Sequence, residues 1–211
     1  MSIYILLPLF AAGSFLIGGI PFGLLIGKWN GVDIRKEGSC NIGATNVTRV
    51  VGKWWGKLCF LLDFLKGAIP VSLAIHCNAD DPCGFLPAVT AFAVVAGHIW
   101  PIYLKFKGGK GVATAAGAFL PICWAALLSA LAVWVIVFMT SRYVSLASIT
   151  AAIVFPVMSL VFFILFPGFI PGAACLIPIL ILSVLTIFKH RSNIRRLLNG
   201  TENRFEKEKK V

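Results

Sequence analysis

Residues 111–139 run Gly111-Val112-Ala113-Thr114-Ala115-Ala116-Gly117-Ala118-Phe119-Leu120-Pro121-Ile122-Cys123-Trp124-Ala125 and on to Met139 without a charged side chain. A helix needs about 20 apolar residues to cross the hydrocarbon core of a bilayer. This stretch is longer than one crossing requires, and Pro121 stands where a helix loses a backbone donor and bends. The stretch alone leaves two readings open. One is a single long tilted span; the other is a short helix from about 112 that ends near Pro121, followed by a second from about 122 that comes back. The charges on either side decide between them.

Five further apolar runs lie at about 3–27, 58–76, 85–104, 144–166 and 170–188. The 211-residue chain is 59% hydrophobic and 13% charged, with a mean hydropathy of +0.92. Soluble domains are about a quarter charged, so too little polar surface is left here to face water, and a soluble globular enzyme is excluded. The balance of 19 Lys+Arg against 8 Asp+Glu would suggest nucleic acid in a soluble protein. In a membrane chain it reads as topology, and no nucleic-acid partner is expected.

Apart from Lys66, every basic residue falls in 28–57, in 105–110, at Arg142 or in the tail from 189, whereas the loops at 77–84 and 167–169 hold none. Six crossings would leave the basic tail on the wrong side. Seven segments, with 112–120 short or re-entrant, put every basic loop on the cytoplasmic face and both base-free loops outside. The expectation is an all-α polytopic membrane protein of about seven transmembrane or re-entrant helices, N-terminus outside and C-terminus cytoplasmic. Residues 1–188 form one membrane domain and 189–211 a basic cytoplasmic segment. The start, Met1-Ser2-Ile3-Tyr4, carries no basic residue and no A-x-A site, so the first run is expected to stay as a helix.

The six cysteines form no C-x-x-C pair and have no histidine at zinc-ligand spacing, so no metal site is expected. Cys77 and Cys83 bracket a short polar loop and would be placed to pair in an oxidising compartment.

Three polar stretches could carry chemistry. The first, Gly38-Ser39-Cys40-Asn41-Ile42-Gly43-Ala44-Thr45-Asn46-Val47-Thr48-Arg49, is dense in small residues and hydrogen-bonders. It ends in an arginine able to grip a phosphate in two-pronged fashion. Read blandly, it is a polar loop in which Thr45 or Asn46 caps a helix. The second, Lys105-Phe106-Lys107-Gly108-Gly109-Lys110-Gly111, leads into a helix start. Three glycines, lysines and helix-terminal N–H groups are the physical recipe for a phosphate cradle. Gly111 stands where a Walker A loop has Ser or Thr, so nucleotide hydrolysis is not implied. The third begins Lys189-His190-Arg191-Ser192-Asn193 and runs to Glu202, with His190 and Asn193 on one helical face; by itself it reads first as a positive-inside anchor with an incidental histidine, and second as a base or anion ligand. Asp63 and Lys66, three apart inside an apolar run, read as a buried ion pair. Ser145 and Ser148 place hydroxyls at the start of a helix, where they line a polar pocket or bond to backbone.

Taken in order, these stretches resemble the bacterial acyl-phosphate-dependent glycerol-3-phosphate 1-acyltransferases. The likeness rests on Gly38 to Arg49, Leu62-Asp63 with Lys66-Gly67, Gly97-His98 with Pro101, Lys107 to Thr114, Arg142 to Ile149 and His190 to Glu202. It implies an enzyme of the bacterial inner membrane with its site on the cytoplasmic face. The reaction it implies moves a fatty acyl group from acyl phosphate to the 1-hydroxyl of glycerol 3-phosphate, giving lysophosphatidate and inorganic phosphate.

His190, Lys110 and Arg49 are the candidate catalytic residues. Ser39, Asn41, Thr45, Asn46, Lys107, Gly108, Gly109, Gly111, Ser145, Ser148 and Asn193 are the candidate substrate ligands. No cofactor is expected, and the partners are the two substrates and membrane lipid. Cys40 departs from the family, which has glycine there, so any left-handed turn at that residue would be strained. His76 and Asp81 match the H-x4-D signature of a different, CoA-using acyltransferase class, but fall in the base-free loop and read as coincidence. A transporter of a small phosphate ester is the alternative; it would place its anion site near mid-membrane.

Overall fold

The computed structural model describes residues 2–77 and 81–205. Among them the regular structure is helical: α1 (Ile3–Gly19), α2 (Phe22–Trp29), α3 (Ala44–Val50), α4 (Lys53–Cys77), α5 (Phe85–Ile99), α6 (Val112–Ser141), α7 (Val144–Leu165), α8 (Leu176–Lys189) and α9 (Arg191–Leu198). By length and apolarity, five stretches could cross a bilayer: Ile3–Trp29, α4, Phe85–Leu104, α6 and α7. A sixth is added when α8 and α9, bent by 51°, are taken together. Leu9, Leu61, Leu131, Ile153, Leu160 and Ile181 lie exposed along these helices, the large apolar surface expected of a protein solvated by lipid.

The first run does not continue to residue 27 as one helix. Pro21 has no N–H to give, and the helix ends at Gly19. The carbonyl of Ile20, left without a helical partner, accepts a hydrogen bond from Lys66 Nζ at 2.8 Å. Lys66 also meets Asp63 Oδ1 at 2.7 Å, so the buried ion pair expected from sequence is present and serves to close the break in the neighbouring helix.

The element that decides the topology is α6, which leaves helical geometry at Cys123 (φ −152°, ψ 60°). Before the break, Phe119 packs on Phe155 with ring centroids 5.2 Å apart, and Cys123 lies beside Ser159, so this arm runs parallel to α7. After it, Trp134 Nε1 donates to Ser148 Oγ at 3.2 Å, the spacing of an antiparallel neighbour. The chain therefore turns back on itself two residues beyond Pro121. A straight helix of this length would separate its ends by about 45 Å; instead both ends reach the same cluster around Glu202.

This folding sorts the molecule into two ends. At one, the turn of α6 (Trp124 against Phe169, 5.8 Å) meets the two base-free loops, which are tied by Ala174 N–H to Cys83 O at 3.0 Å. Leu6 of α1 packs here with Ala74 and Leu86, so the chain starts at this end. At the other lie the stretches 28–57 and 105–111, the α6–α7 turn and the chain's last described residues. Cys77 and Cys83 are free thiols. Between the ends, helices approach to backbone contact where glycine allows it: Gly97 rests on Phe15 O, and Gly117 on Phe64 O.

Candidate active site

At the basic end, Glu202 is a buried carboxylate that organises four segments. Its Oε1 accepts from Ser145 Oγ (2.8 Å) and Asn193 Nδ2 (2.7 Å), and its Oε2 meets Arg196 Nε at 2.7 Å. Asn193 is oriented by that bond, and its Oδ1 then accepts from Lys110 Nζ. Arg49, on the last turn of α3, enters from the far side: its Nη2 donates to Asn203 O at 3.2 Å and its guanidinium lies over the Phe205 ring. His190 sits at the bend between α8 and α9, buried, within electrostatic reach of Lys110. Its Nδ1 faces the Thr186 carbonyl at 2.7 Å. A carbonyl can only accept, so Nδ1 carries the proton and the lone pair of the neutral ring is on Nε2.

The electrostatics follow from this packing. Lys110, Arg49 and Arg196 share the cluster with one carboxylate, leaving an excess of positive charge in a partly dry site. Burial brings the Lys110 ammonium down to about 8, with Arg196 and Arg49 adding to the fall and Glu202 opposing it. Burial alone would raise the Glu202 carboxyl; hydrogen bonds from Asn193, Ser145 and Arg196 outweigh it and hold the group below the usual carboxylate range. Burial also lowers Arg49.

A second feature lies beside this cluster. A groove of about 390 Å³ is lined by Arg35, Cys40, Ile42, Phe106, Lys107, Gly108 and Lys189. Lys107 is exposed on its rim. Arg35 is held by Asp33 at 2.8 Å. Cys40 (φ 55°) and Phe106 (φ 63°) both adopt the left-handed backbone that side chains resist, so the strain anticipated for a cysteine at this turn is present.

The candidate residues divide accordingly. Arg49, Lys110, Ser145, His190 and Asn193 are brought together. Asn46 is not free to bind anything: its Oδ1 accepts from Ser39 N–H, and its Nδ2 donates to Ile34 O and Glu37 O, so it pins the 34–39 loop. Asn41 Oδ1 accepts from Gly43 N–H at 3.3 Å, closing the turn ahead of α3, and Thr45 lies half-buried in that helix's first turn. Ser148 is turned to its own helix and to Trp134, away from Glu202.

The glycine cradle needs a correction. Gly108 and Gly109 donate their N–H groups to Ile99 O (3.2 Å) and His98 O (3.1 Å), capping the end of α5, and so do not present them to an anion. They are glycines because a Cβ on Gly108 would strike His98 O and one on Gly109 the His98 imidazole. Gly111 (φ 83°) turns the chain into α6, whose first N–H groups have no helical partner, and these remain as donors beside Lys110. His98 itself sits 3.7 Å from Asp63 and 3.2 Å from Thr114 Oγ1, so the Lys66–Asp63 pair extends directly beneath this loop.

Sequence reasoning assigned no role to Glu202, Arg196 or Phe205. The available signal was that Glu202 is an acid set among the tail's bases; which groups it would hold, from α7 and α9, is not written near it in the chain. His76 and Asp81 do not form a catalytic pair: His76 faces the Ser72 carbonyl, and Asp81 accepts from Leu86 N–H at the start of α5.

Comparison with known proteins bears on this geometry. Residues 8–200 match the family model described as glycerol-3-phosphate acyltransferase. A glycerol-3-phosphate acyltransferase of Geotalea daltonii is 47% identical over 92% of this chain and 95% of its own length. One from Aquifex aeolicus is 44% identical over 91% and 95%. The fold matches crystal structures of PlsY, an integral membrane glycerol 3-phosphate acyltransferase, in its glycerol 3-phosphate form (TM-score 0.86, 42% identity, 95% of this chain and 96% of that one). The match to its lysophosphatidic acid form has a TM-score of 0.82 at 42% identity, covering 95% of each chain.

Proposed function

Because the chain belongs to the glycerol-3-phosphate acyltransferase family, we propose that it transfers a fatty acyl group from acyl phosphate to the 1-hydroxyl of sn-glycerol 3-phosphate, releasing lysophosphatidate and inorganic phosphate. The observation that carries this reading is the convergence of Lys110, Arg49, Arg196, Asn193, Ser145 and His190 on a buried site with excess positive charge. Both substrates bring a phosphate. Lys110, Arg49 and the first turn of α6 are matched to one of them, and the groove bearing Lys107 and Lys189 to the other.

Acyl phosphate is an activated mixed anhydride. The acceptor's hydroxyl oxygen forms a bond to the acyl carbon while the bond from that carbon to the phosphate oxygen breaks, and the hydroxyl proton passes to a base. Positioning and charge stabilisation on the departing phosphate then supply most of the catalysis. Neutral His190 has its Nε2 available as that base, and the phosphate of the donor is the competing acceptor. Ser39 and Asn41 flank Cys40, which lines the groove, while Asn46, Gly108 and Gly109 shape the loops around it. A transporter is not favoured, since the relatives are acyltransferases.

The sidedness proposed with it places the base-free end outside and the site at the cytoplasmic face of the inner membrane, supported by the gathering of the bases at one end. His190→Ala separates the two proton acceptors. Loss of kcat at saturating glycerol 3-phosphate is expected if Nε2 is the base; a raised KM with kcat retained contradicts that role and makes His190 a ligand.

A further inference from the structure

The last described residues form a strap rather than a loose anchor. Glu202 is tied to Ser145, Asn193 and Arg196. The next carbonyl, of Asn203, accepts from Arg49 Nη2 at 3.2 Å. Arg204 Nε donates to Ser141 O at 3.1 Å, and its guanidinium lies 5.7 Å from the centre of the Tyr143 ring. Phe205 N–H donates to Arg142 O at 3.0 Å. Its ring stands edge-on to Phe138 (6.0 Å) and lies under the Arg49 guanidinium, 4.9 Å from the centroid.

We infer that Phe205 is a positioning residue for Arg49: its ring and the Asn203 carbonyl hold the guanidinium in the orientation in which it meets a substrate phosphate. Arginine has a long chain whose ordering on binding costs rotamer entropy. Stacking on an aromatic face fixes the plane of the guanidinium, and the carbonyl takes up donor capacity on one nitrogen, leaving the remaining N–H groups for an anion. The reference for that orientation is the α6–α7 turn, to which Phe205 and Arg204 are bonded, and not α3, which carries the arginine. The strap thereby links the 38–49 stretch to the α6–α7 turn on the far side of the site. This inference rests on the proposed reaction in taking Arg49 to meet a phosphate.

Phe205→Leu tests it in the purified full-length protein, because leucine keeps the main-chain bond to Arg142 and an apolar contact with Phe138 but removes the ring. With acyl phosphate saturating, Phe205→Leu is expected to raise KM for glycerol 3-phosphate roughly fivefold while kcat stays within twofold, and Phe205→Trp to restore both. On an Arg49→Lys background, which has no planar face to stack, Phe205→Leu is expected to add less than twofold. Calorimetric binding of glycerol 3-phosphate gives the same cycle where turnover is slow. An unchanged KM in Phe205→Leu, an equal fivefold rise on the Arg49→Lys background, or a drop in kcat and Tm with KM unmoved would each overturn the inference. Absence of turnover in the wild-type protein would count against the proposed reaction instead, which separates the two failures.

Discussion

At the basic end, Glu202, Asn193, Lys110, Ser145 and Arg196 are joined by directional hydrogen bonds among side chains, and Arg49 is tied in through the Asn203 main-chain carbonyl, so that five segments meet. At the base-free end, the loops are joined by backbone contact and rings: Ala174 N–H to Cys83 O, Gly172 against Cys83, and the Trp124, Phe162, Phe166 and Phe169 group. The two ends fail in different ways. A polar network loses function when one group is removed, because a buried partner is left unpaired. A close-packed apolar joint tolerates changes of chemistry but not of volume. The first arrangement suits a site that must present charge at fixed points; the second only has to keep the helices in place.

The largest expected effect falls on the hub. Glu202→Ala removes the acceptor for Ser145, Asn193 and Arg196 together and leaves a buried cluster of unbalanced cations, so a loss of about 3 kcal/mol of stability is expected. Thermal unfolding in detergent should report it as a large drop in Tm, accompanied by loss of turnover; a variant with wild-type Tm would break the contrast.

At the other end, Gly172→Ala puts a Cβ into the Cys83 carbonyl and the Gly84 nitrogen. It is expected to cost about 2 kcal/mol, again as lower Tm, yet to leave KM for glycerol 3-phosphate where it was. A shifted KM would mean that the two ends are coupled.

Next comes pH. Burial brings Lys110 down to about 8 from an ordinary 10.5, so the cation proposed to meet a phosphate is present below 8 and disappears above it. KM for glycerol 3-phosphate is expected to rise about tenfold between pH 7 and 9. Lys110→Arg should flatten that rise, since arginine stays charged. For stability the sign is opposite: holding the ammonium in a dry site opposes folding below pH 8, and that penalty fades as pH climbs toward 10.5. The smallest effect is Cys40→Gly, expected to gain about 0.5 kcal/mol by relieving the left-handed φ of 55°, read as a slightly higher Tm.

Much of the fold was legible from sequence. The turn in α6 followed from one proline and the positions of 18 of the 19 bases, because charge sidedness is a property of the chain's order and needs no contacts. The break after Gly19 was missed, since the run stays apolar through Pro21 and hydropathy does not see a missing N–H. In the site, Lys110, Asn193 and Arg49 stood out by charge and hydrogen-bonding capacity that are local to the chain, and the structure brings them to one cluster. The glycines misled because close packing on His98 and anion binding both call for the same residue. Glu202 and Phe205 escaped because their roles exist only once the tail lies across the α6–α7 turn.

The central claim, that the basic end is an acyl-transfer site, is tested most directly by supplying purified protein in phospholipid nanodiscs with acyl phosphate and glycerol 3-phosphate. Lysophosphatidate and inorganic phosphate should appear in equal amounts, with Gly172→Ala active and Lys110→Ala and Arg49→Ala strongly impaired at subsaturating acceptor. Absence of phosphate release from the wild-type protein, or turnover unaffected by Lys110→Ala and Arg49→Ala, would contradict it.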